Sequence, residues 1–273
     1  RYYVNQLKSK LPGSTEIFKA ISVIEKDDFT FGYAINHGIK HSNGELVCIV
    51  SAHTKPKSNN WLKELVSAFN YNHSNNSNVA LSYGRQIGGE NSNFSEIMDF
   101  KYLFGRQELQ KSRPKYFCNN ANSMIRKDLW IKHPFNESLS GLEDIEWSKY
   151  WMDKGYKIVY KPDAEILHIH RETPDQIKRR FWRETIAARS IGVLPTHKLL
   201  LQVFAQSFFT VSDLANTFNN KTNEKWNEII SFRKNKVVGM LKALSHEKSD
   251  LRDYSAHYAP IDCKVVEFQK QNQ

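Results

Sequence analysis

Three histidines follow segments of the chain that have the composition of strands. His53 closes Ser51-Ala-His53, directly after the short apolar run 46–50. His168 and His170 end a second extended stretch, and residues two apart in a strand face the same side. Ligands of open α/β sheets bind at the carboxyl ends of the strands, where imidazole can hold a divalent metal or, when protonated, neutralise a phosphate. We therefore predict one cleft containing all three imidazoles, although solvent-exposed strand ends would give the same pattern.

A pair of adjacent acids, Glu143 and Asp144, opens a predicted helix over 143–154 that Gly155 ends. The free N–H groups and the dipole of a helix N-terminus favour ionised carboxylates. An ionised aspartate that faces a pocket can serve as a general base. Simple charge complementarity with the helix explains the same two residues, so both interpretations stay open.

Basic residues are in excess, with 39 Lys and Arg against 29 Asp and Glu, and the net charge of +10 favours anionic partners. Nucleic acid, acidic lipid and the phosphates of an activated substrate are all anionic. Guanidinium groups suit diphosphate recognition. Four arginines follow His168 and His170 in the sequence: Arg171, Arg179, Arg180 and Arg183. Because no nucleic-acid-binding signature accompanies them, we expect no nucleic-acid partner.

Strand-like and helix-like segments alternate up to about residue 170. The predicted extended segments are 20–24, 45–50, 79–83, 117–125, 156–160 and 164–167, and the predicted helices are 61–71, 94–110 and 143–154. Pro162 is expected to break the last strand pair. Long basic helices follow from 176, one of them with an apolar stripe formed by Trp226, Ile229, Ile230, Val237, Leu241 and Leu244. The pattern predicts an α/β domain followed by a helical C-terminal extension.

Length and composition bound the remaining choices. A chain of 273 residues suits one large domain or two modest ones. Cys48, Cys118 and Cys263 form no CxxC pair, which argues against a zinc ribbon and suits reduced thiols in a cytoplasmic protein. The longest nearly apolar run, 199–211, is shorter than the ~20 residues of a spanning helix. We expect it to pack on the catalytic domain, to form an oligomer contact, or to touch the inner face of a membrane.

Taken in chain order, these pieces resemble the family 2 glycosyltransferases, and within them the rhamnosyltransferase-like subgroup. The resemblance covers about 17–190. Its motifs are FTFGYAIN (29–36), NGE (43–45), LVCIVSAH (46–53), YGRQ (83–86), NNANS (119–123), PF (134–135), EDIEW (143–147), GY (155–156), YKP (160–162) and HIH (168–170).

The resemblance implies a GT-A fold, a mixed sheet flanked by helices, over 1–185, with the helical extension over 186–273. It also implies that much of the nucleotide-binding half lies upstream of Arg1. The implied activity is inverting transfer of a sugar, rhamnose by analogy with the subgroup, from a dTDP- or UDP-sugar to a hydroxyl of a polysaccharide, O-antigen-type or lipid-linked glycan acceptor. A catalytically inactive glycan-binding module with the same fold is the alternative.

The resemblance also implies roles for individual residues. Asp144 corresponds to the general base, beside Glu143. The family's Asp-x-Asp metal motif falls on Ser51-Ala-His53, with Ser51 in place of a carboxylate, and a related family of polypeptide sugar transferases places a later histidine where His168 lies. His53 and His168, with His170 behind them, are thus expected to bind Mn²⁺ or Mg²⁺. The residues expected to contact donor or acceptor are Ser51, Arg85, Gln86, Asn120, Asn122, Trp147 and Arg179, with Arg180 as the alternative to Arg179 near a phosphate. At helical spacing, Trp147 and Trp151 are more often core residues than stacking platforms.

Overall fold

The computed structural model describes residues 30–69, 78–90, 92–106, 115–170, 172–219 and 222–245. Its strands are β1 (Leu46–Val50), β2 (Thr54–Pro56), β3 (Val79–Ile87), β4 (Asn122–Arg126) and β5 (Lys157–His168). Its α-helices are α1 (Phe31–Lys40), α2 (Trp61–Ser67), α3 (Phe94–Leu103), α4 (Lys127–Lys132), α5 (Glu143–Asp153), α6 (Pro174–Ser190), α7 (Thr196–Asn219) and α8 (Trp226–Lys242). Short 3₁₀ turns cover Asn223–Lys225 and Ala243–Ser245.

The five strands form one mixed sheet in the order β1-β4-β3-β5-β2. β3 and β5 run parallel, and the other neighbours are antiparallel. Val79 to Tyr83 are buried, because both faces of the central strand are covered. The predicted α/β architecture is confirmed.

Several predicted boundaries were wrong. α2 ends at Ser67, earlier than predicted, and β2 lies between the predicted segments 45–50 and 61–71, where no strand was predicted. α1 was not predicted at all; its N-cap is Thr30, whose side chain accepts a hydrogen bond from the Tyr33 N–H. The predicted strand at 20–24 lies outside the described residues.

Pro162 does not break the strand, contrary to the prediction. β5 continues through it from Lys157 to His168, and its register against β3 shifts between Gly84 and Gln86. Such an irregularity lets a proline sit in a sheet, since its missing N–H leaves no ladder bond unmade.

Four clusters of buried apolar side chains stabilise the described chain, one of them formed by Leu65, Met124 and Ala164. The main core lies under the sheet and includes Leu81, Tyr83, Ile125 and Trp147. The C-terminal helices have their own small clusters, where α6 and α7 pack against α8. The predicted boundary between 1–185 and 186–273 falls inside α6. The division into two domains stays a prediction.

The apolar stripe predicted for the last helix coincides only in part with its buried face, since Ile229 is buried and Leu244 packs against a C-terminal cluster. Trp226, Ile230 and Leu241 are each more than 40% exposed. The buried face includes Gly239, where an added Cβ would lie 2.4 Å from the Lys178 carbonyl oxygen of α6. A glycine that admits a neighbouring helix carries no hydrophobic signal, so periodicity located the buried face only in part.

Gly84 provides a test of the sheet. A Cβ there would lie 2.1 Å from the Ala164 carbonyl oxygen of β5 and 2.3 Å from Nδ2 of Asn122. We expect Gly84→Ala to lower the free energy of unfolding by about 3 kcal/mol or more, because backbone would have to separate. Gly38→Ala is the matched control: its Cβ meets nothing within 4 Å in α1, so stability should rise by about 0.5–1 kcal/mol. Urea denaturation measures both, and equal effects would contradict the assigned β3–β5 contact.

Candidate active site

The sheet brings the three predicted histidines together. β2 pairs with β5 so that Thr54 opposes His168, which places His53 beside the end of β5. The ring centroids lie 4.7 Å apart for His53 and His168, 5.0 Å for His53 and His170, and 4.2 Å for His168 and His170. One ring nitrogen from each lies within 4.8 Å of the others. This spacing permits all three to bind a single cation.

His168 is the buried member of this histidine cluster, with 5% of its surface exposed. Its Nδ1 lies 2.6 Å from Oε1 of Gln86, an acceptor, so Nδ1 carries the proton and Nε2 offers a lone pair. Within the described part of the chain, Nε2 is buried without a hydrogen-bond partner. Burial, followed by the neighbouring histidines, holds the pKa of His168 far below its ordinary value. A neutral imidazole with an unused buried nitrogen fits a metal ligand.

His170 is oriented by a carboxylate. Its Nδ1 lies 2.6 Å from Oε1 of Glu96, and the same oxygen accepts a hydrogen bond from Arg180 at 2.9 Å. Arg180 also pairs with Glu172 at 2.6 Å. Burial opposes ionisation of Glu96, but the hydrogen bonds and charges of His170 and Arg180 outweigh it and lower the pKa of that carboxyl. A carboxylate behind an imidazole is the usual support of a metal-binding histidine.

Sequence reasoning missed Glu96. It lies three residues after Asn93, the N-cap of α3. A glutamate at that position ordinarily indicates a capping box, so nothing local distinguished it. Of the two arginines predicted near phosphate, Arg179 and Arg180, it is Arg180 whose guanidinium contacts Glu96 beside this cluster.

The acidic pair lies at the start of α5, as predicted, but its electrostatics differ from the prediction. Glu143 and Asp144 are both buried. Oδ2 of Asp144 accepts the Asn120 N–H at 2.9 Å, and Oδ1 accepts the Ile145 N–H at 2.8 Å. We expected the helix terminus to favour ionisation, yet burial outweighs these hydrogen bonds and raises the pKa of both carboxyls. Such a shift moves a base towards neutral pH, where proton transfer is most effective.

The residue before the pair is strained. Leu142 has φ of 58°, the only positive φ of a non-glycine residue in the described ranges. The left-handed region costs such a residue about 1–2 kcal/mol. Leu142 adopts this conformation directly before the buried N-terminus of α5. Its side chain packs in the C-terminal apolar cluster.

One short segment connects the carboxylate pair with the histidine cluster. The Asn120 N–H donates to Asp144, and the next carbonyl, Ala121, accepts the Ser51 N–H at 3.2 Å. The hydroxyl of Ser51 lies 3.0 Å from Nδ1 of His53. A chain of hydrogen bonds through adjacent backbone atoms therefore connects the two groups.

Other predicted contact residues have structural partners. Arg85 pairs with Glu165 and donates to the Phe104 carbonyl. Asn122 accepts a hydrogen bond from the Trp61 indole at 2.7 Å and donates to Ala164 at 2.7 Å.

Trp147 is placed differently from the prediction that it contacts a ligand. It is fully buried in the main core, packs on Phe135 and Trp151, and donates its indole N–H to the His133 carbonyl at 2.7 Å. Because α5 must pack its aromatic face against the sheet, Trp147 supports the helix that carries Asp144.

Comparison with known proteins identifies the fold. Residues 13–133 match the model of the family described as Glycosyl transferase family 2. The mannosyltransferase PcManGT from Pyrobaculum calidifontis, solved with GDP-Man and Mn²⁺, is similar in structure, with a TM-score of 0.57, 12% identity, and coverage of 89% of this chain and 73% of that one. The predicted GT-A fold is confirmed.

A curated relative matches in sequence. The O-antigen chain rhamnosyltransferase WbaN of Salmonella anatum is 26% identical over 172 residues, which is 59% of this chain. The chain spans about half of that relative's length, 53%. In the described ranges, no helix is both long and apolar enough to cross a membrane.

The raised carboxyl pKa values predict a pH-dependent stability. A carboxyl whose pKa is higher in the folded state stabilises the fold below its unfolded pKa of about 4, and this contribution is lost as pH rises through the folded value. Glu143→Gln cannot ionise, so we expect its free energy of unfolding to gain on that of the parent chain as pH rises from 5 to 8. Urea denaturation at both pH values measures this difference.

Asp153→Asn, at the other end of α5, is the control for that comparison. Its carboxylate hydrogen-bonds to Lys149, which lowers its pKa. The variant should therefore show no such gain. A Glu143→Gln difference that is independent of pH would contradict the assigned burial effect.

Proposed function

We propose that this chain is an inverting glycosyltransferase that moves a sugar from a nucleotide-sugar to a hydroxyl group of a cell-surface polysaccharide or O-antigen-type acceptor. The observation that carries the proposal is the coupling of a buried carboxylate with raised pKa, Asp144, to three clustered histidines through the backbone of residues 119–122. The match of residues 13–133 to the family 2 model supports the same interpretation.

Asp144 would act as the general base. Its carboxylate takes the proton from the acceptor hydroxyl as the oxygen forms a bond to the anomeric carbon of the donor. The bond from that carbon to the diphosphate breaks, and its electron pair leaves with the nucleoside diphosphate. Attack from the opposite face inverts the anomeric centre.

Glu143 would be the protonated partner of this pair. Two buried carboxylates side by side resist ionising together, because each raises the energy of the other's charge. Glu143 has its pKa raised by burial and then by Asp144. At neutral pH the negative charge then resides on Asp144.

The histidine cluster fits a divalent metal, Mn²⁺ or Mg²⁺ in our hypothesis. His53, His168 and His170 would hold it, and the unpartnered Nε2 of His168 supports this assignment. When bound, such an ion offsets negative charge on a leaving diphosphate.

The finer substrate assignments are part of this proposal. The relative's name, an O-antigen chain rhamnosyltransferase, supports rhamnose and a polysaccharide acceptor. We propose a dTDP- or UDP-sugar donor and a glycan or lipid-linked glycan acceptor. A cytoplasmic location stays a prediction. A membrane contact through 199–211 is a second prediction, which vesicle flotation tests.

Asp144→Asn tests the base. The amide keeps one oxygen for one of the two backbone N–H groups that Asp144 accepts, and we expect transfer to fall by about 10²–10⁴-fold. An unchanged circular dichroism spectrum checks that the fold survives the loss of the other hydrogen bond. Donor binding, measured by calorimetry with UDP and dTDP, should be unchanged. Asp153→Asn in the same helix should retain full transfer, and wild-type turnover by Asp144→Asn would remove Asp144 from the base role.

His168→Ala tests the metal site. Calorimetric titration with Mn²⁺, in the presence of whichever nucleotide binds, should show an affinity reduced by about 10-fold or more, because one of three protein ligands is gone. His197→Ala removes an exposed imidazole from α7 and serves as the control. Equal Mn²⁺ affinity in both variants would exclude His168 as a ligand.

The alternative is a catalytically inactive glycan-binding module, which Ser51 in the position of a family carboxylate favours. The transfer assay separates the two. Binding of an acceptor glycan without nucleotide release or sugar transfer by the parent chain would select the binding module.

A further inference from the structure

Helix α7 exposes a regular row of apolar side chains. The row, here called the α7 seam, consists of Leu201, Phe204, Phe208, Val211, Ala215 and Phe218. The spacing alternates strictly between three and four residues. The five large side chains are each between 65% and 78% exposed. Exposed apolar rows of this extent mark interaction surfaces in soluble proteins.

The opposite face of α7 packs against α3 and α8 of the same chain. Leu199, Gln206 and Asp213 are buried there. Asp213 pairs with buried Arg233 of α8 at 2.7 Å and accepts a hydrogen bond from Ser95 of α3 at 2.7 Å. Rotating the seam inward would pull Asp213 away from Arg233 and leave a buried charge without its partner, which is strongly unfavourable. The contacts of the opposite face therefore hold the seam towards solvent.

The spacing identifies the kind of partner. Alternating steps of three and four residues give the 3.5-residue repeat that keeps an apolar row in contact with another helix along its length. A 24-residue helix is about 36 Å long. Taking about 200 Å² for a fully exposed Phe, the seam and the adjacent Leu200 offer roughly 700 Å² of apolar surface. A standard interface takes about 800 Å² from each partner.

We propose that α7 is a homodimer interface in which two copies of the seam pack antiparallel about a two-fold axis. The axis would pass between Phe208 and Val211. An antiparallel pair then places Leu201 opposite Phe218, and Phe204 opposite Ala215. Large side chains meet small ones at the Phe204 layer, whereas a parallel pair would place Phe204 against itself and leave a gap at Ala215. Two-fold contacts of this kind close on themselves.

Charge favours a second copy over a lipid surface. Membrane-surface helices carry Lys and Arg beside their apolar face. Within α7, Lys198 is the only Lys or Arg, and it lies at one end. The positions that flank the seam along its centre, Ala205, Ser207, Ser212 and Leu214, are uncharged. Two copies can approach along this face without repulsion between like charges.

The test is the mass of the whole chain in solution. Light scattering after size exclusion, at protein concentrations of about 10–100 µM, should give twice the chain mass of 31.8 kDa. The double variant Phe204→Glu with Phe208→Glu should be monomeric with an unchanged circular dichroism spectrum. Ile131→Glu is the matched control, since Ile131 is 65% exposed on α4, and it should stay dimeric.

Orientation has its own readout. A mixture of Phe204→Cys and Ala215→Cys chains should form a disulfide-linked dimer under mild oxidation, and neither chain alone should do so to the same extent. Linkage of Phe204→Cys to itself would overturn the antiparallel arrangement. A monomeric parent chain, or a dimer that the seam variants leave intact, would overturn the proposal. So would a monomeric chain that binds phosphatidylcholine–phosphatidylglycerol vesicles through the seam.

Discussion

The close approach of β3 and β5 at Gly84 is the contact on which both halves of the site depend. The backbone of β5 and the side chain of Asn122 fill the space that a Cβ would need. Beyond this point β3 places Gln86 against His168. On its other side β3 pairs with β4, whose preceding residues hold Asp144. A glycine without a side chain thus sets the position of histidine and carboxylate alike.

The site combines groups that the fold would be more stable without. Burial of Glu143 and Asp144 raises their pKa values, and burial of His168 lowers its pKa, so that each is displaced towards its neutral form. Neutral imidazole can bind a cation, and a carboxylate with a raised pKa is a stronger base. Strain at Leu142 lies next to the same pair. Unfavourable burial and backbone strain are concentrated where chemistry requires them.

The sequence predicted the histidine cluster because its signals are local. Period two puts His168 and His170 on one side of a strand, and His53 directly follows another strand. It did not predict Glu96, whose position in α3 is ordinary for a capping residue, and it left Trp147 between a core position and a ligand contact. Both depend on which face of a helix meets the sheet. The stripe through Trp226 was only partly right for a related reason, since Gly239 rather than an apolar side chain decides where α8 meets α6.

By itself the sequence determined the α/β class, the family resemblance, the acidic pair at a helix start and the histidines at strand ends. Each follows from residue types within a few positions of one another. Only the tertiary structure decided the strand order, the pairing of Arg180 with Glu96, the neutral state of His168 and the outward direction of the α7 seam. Those depend on contacts between distant segments and on the desolvation that such contacts cause, and neither quantity is a function of local sequence.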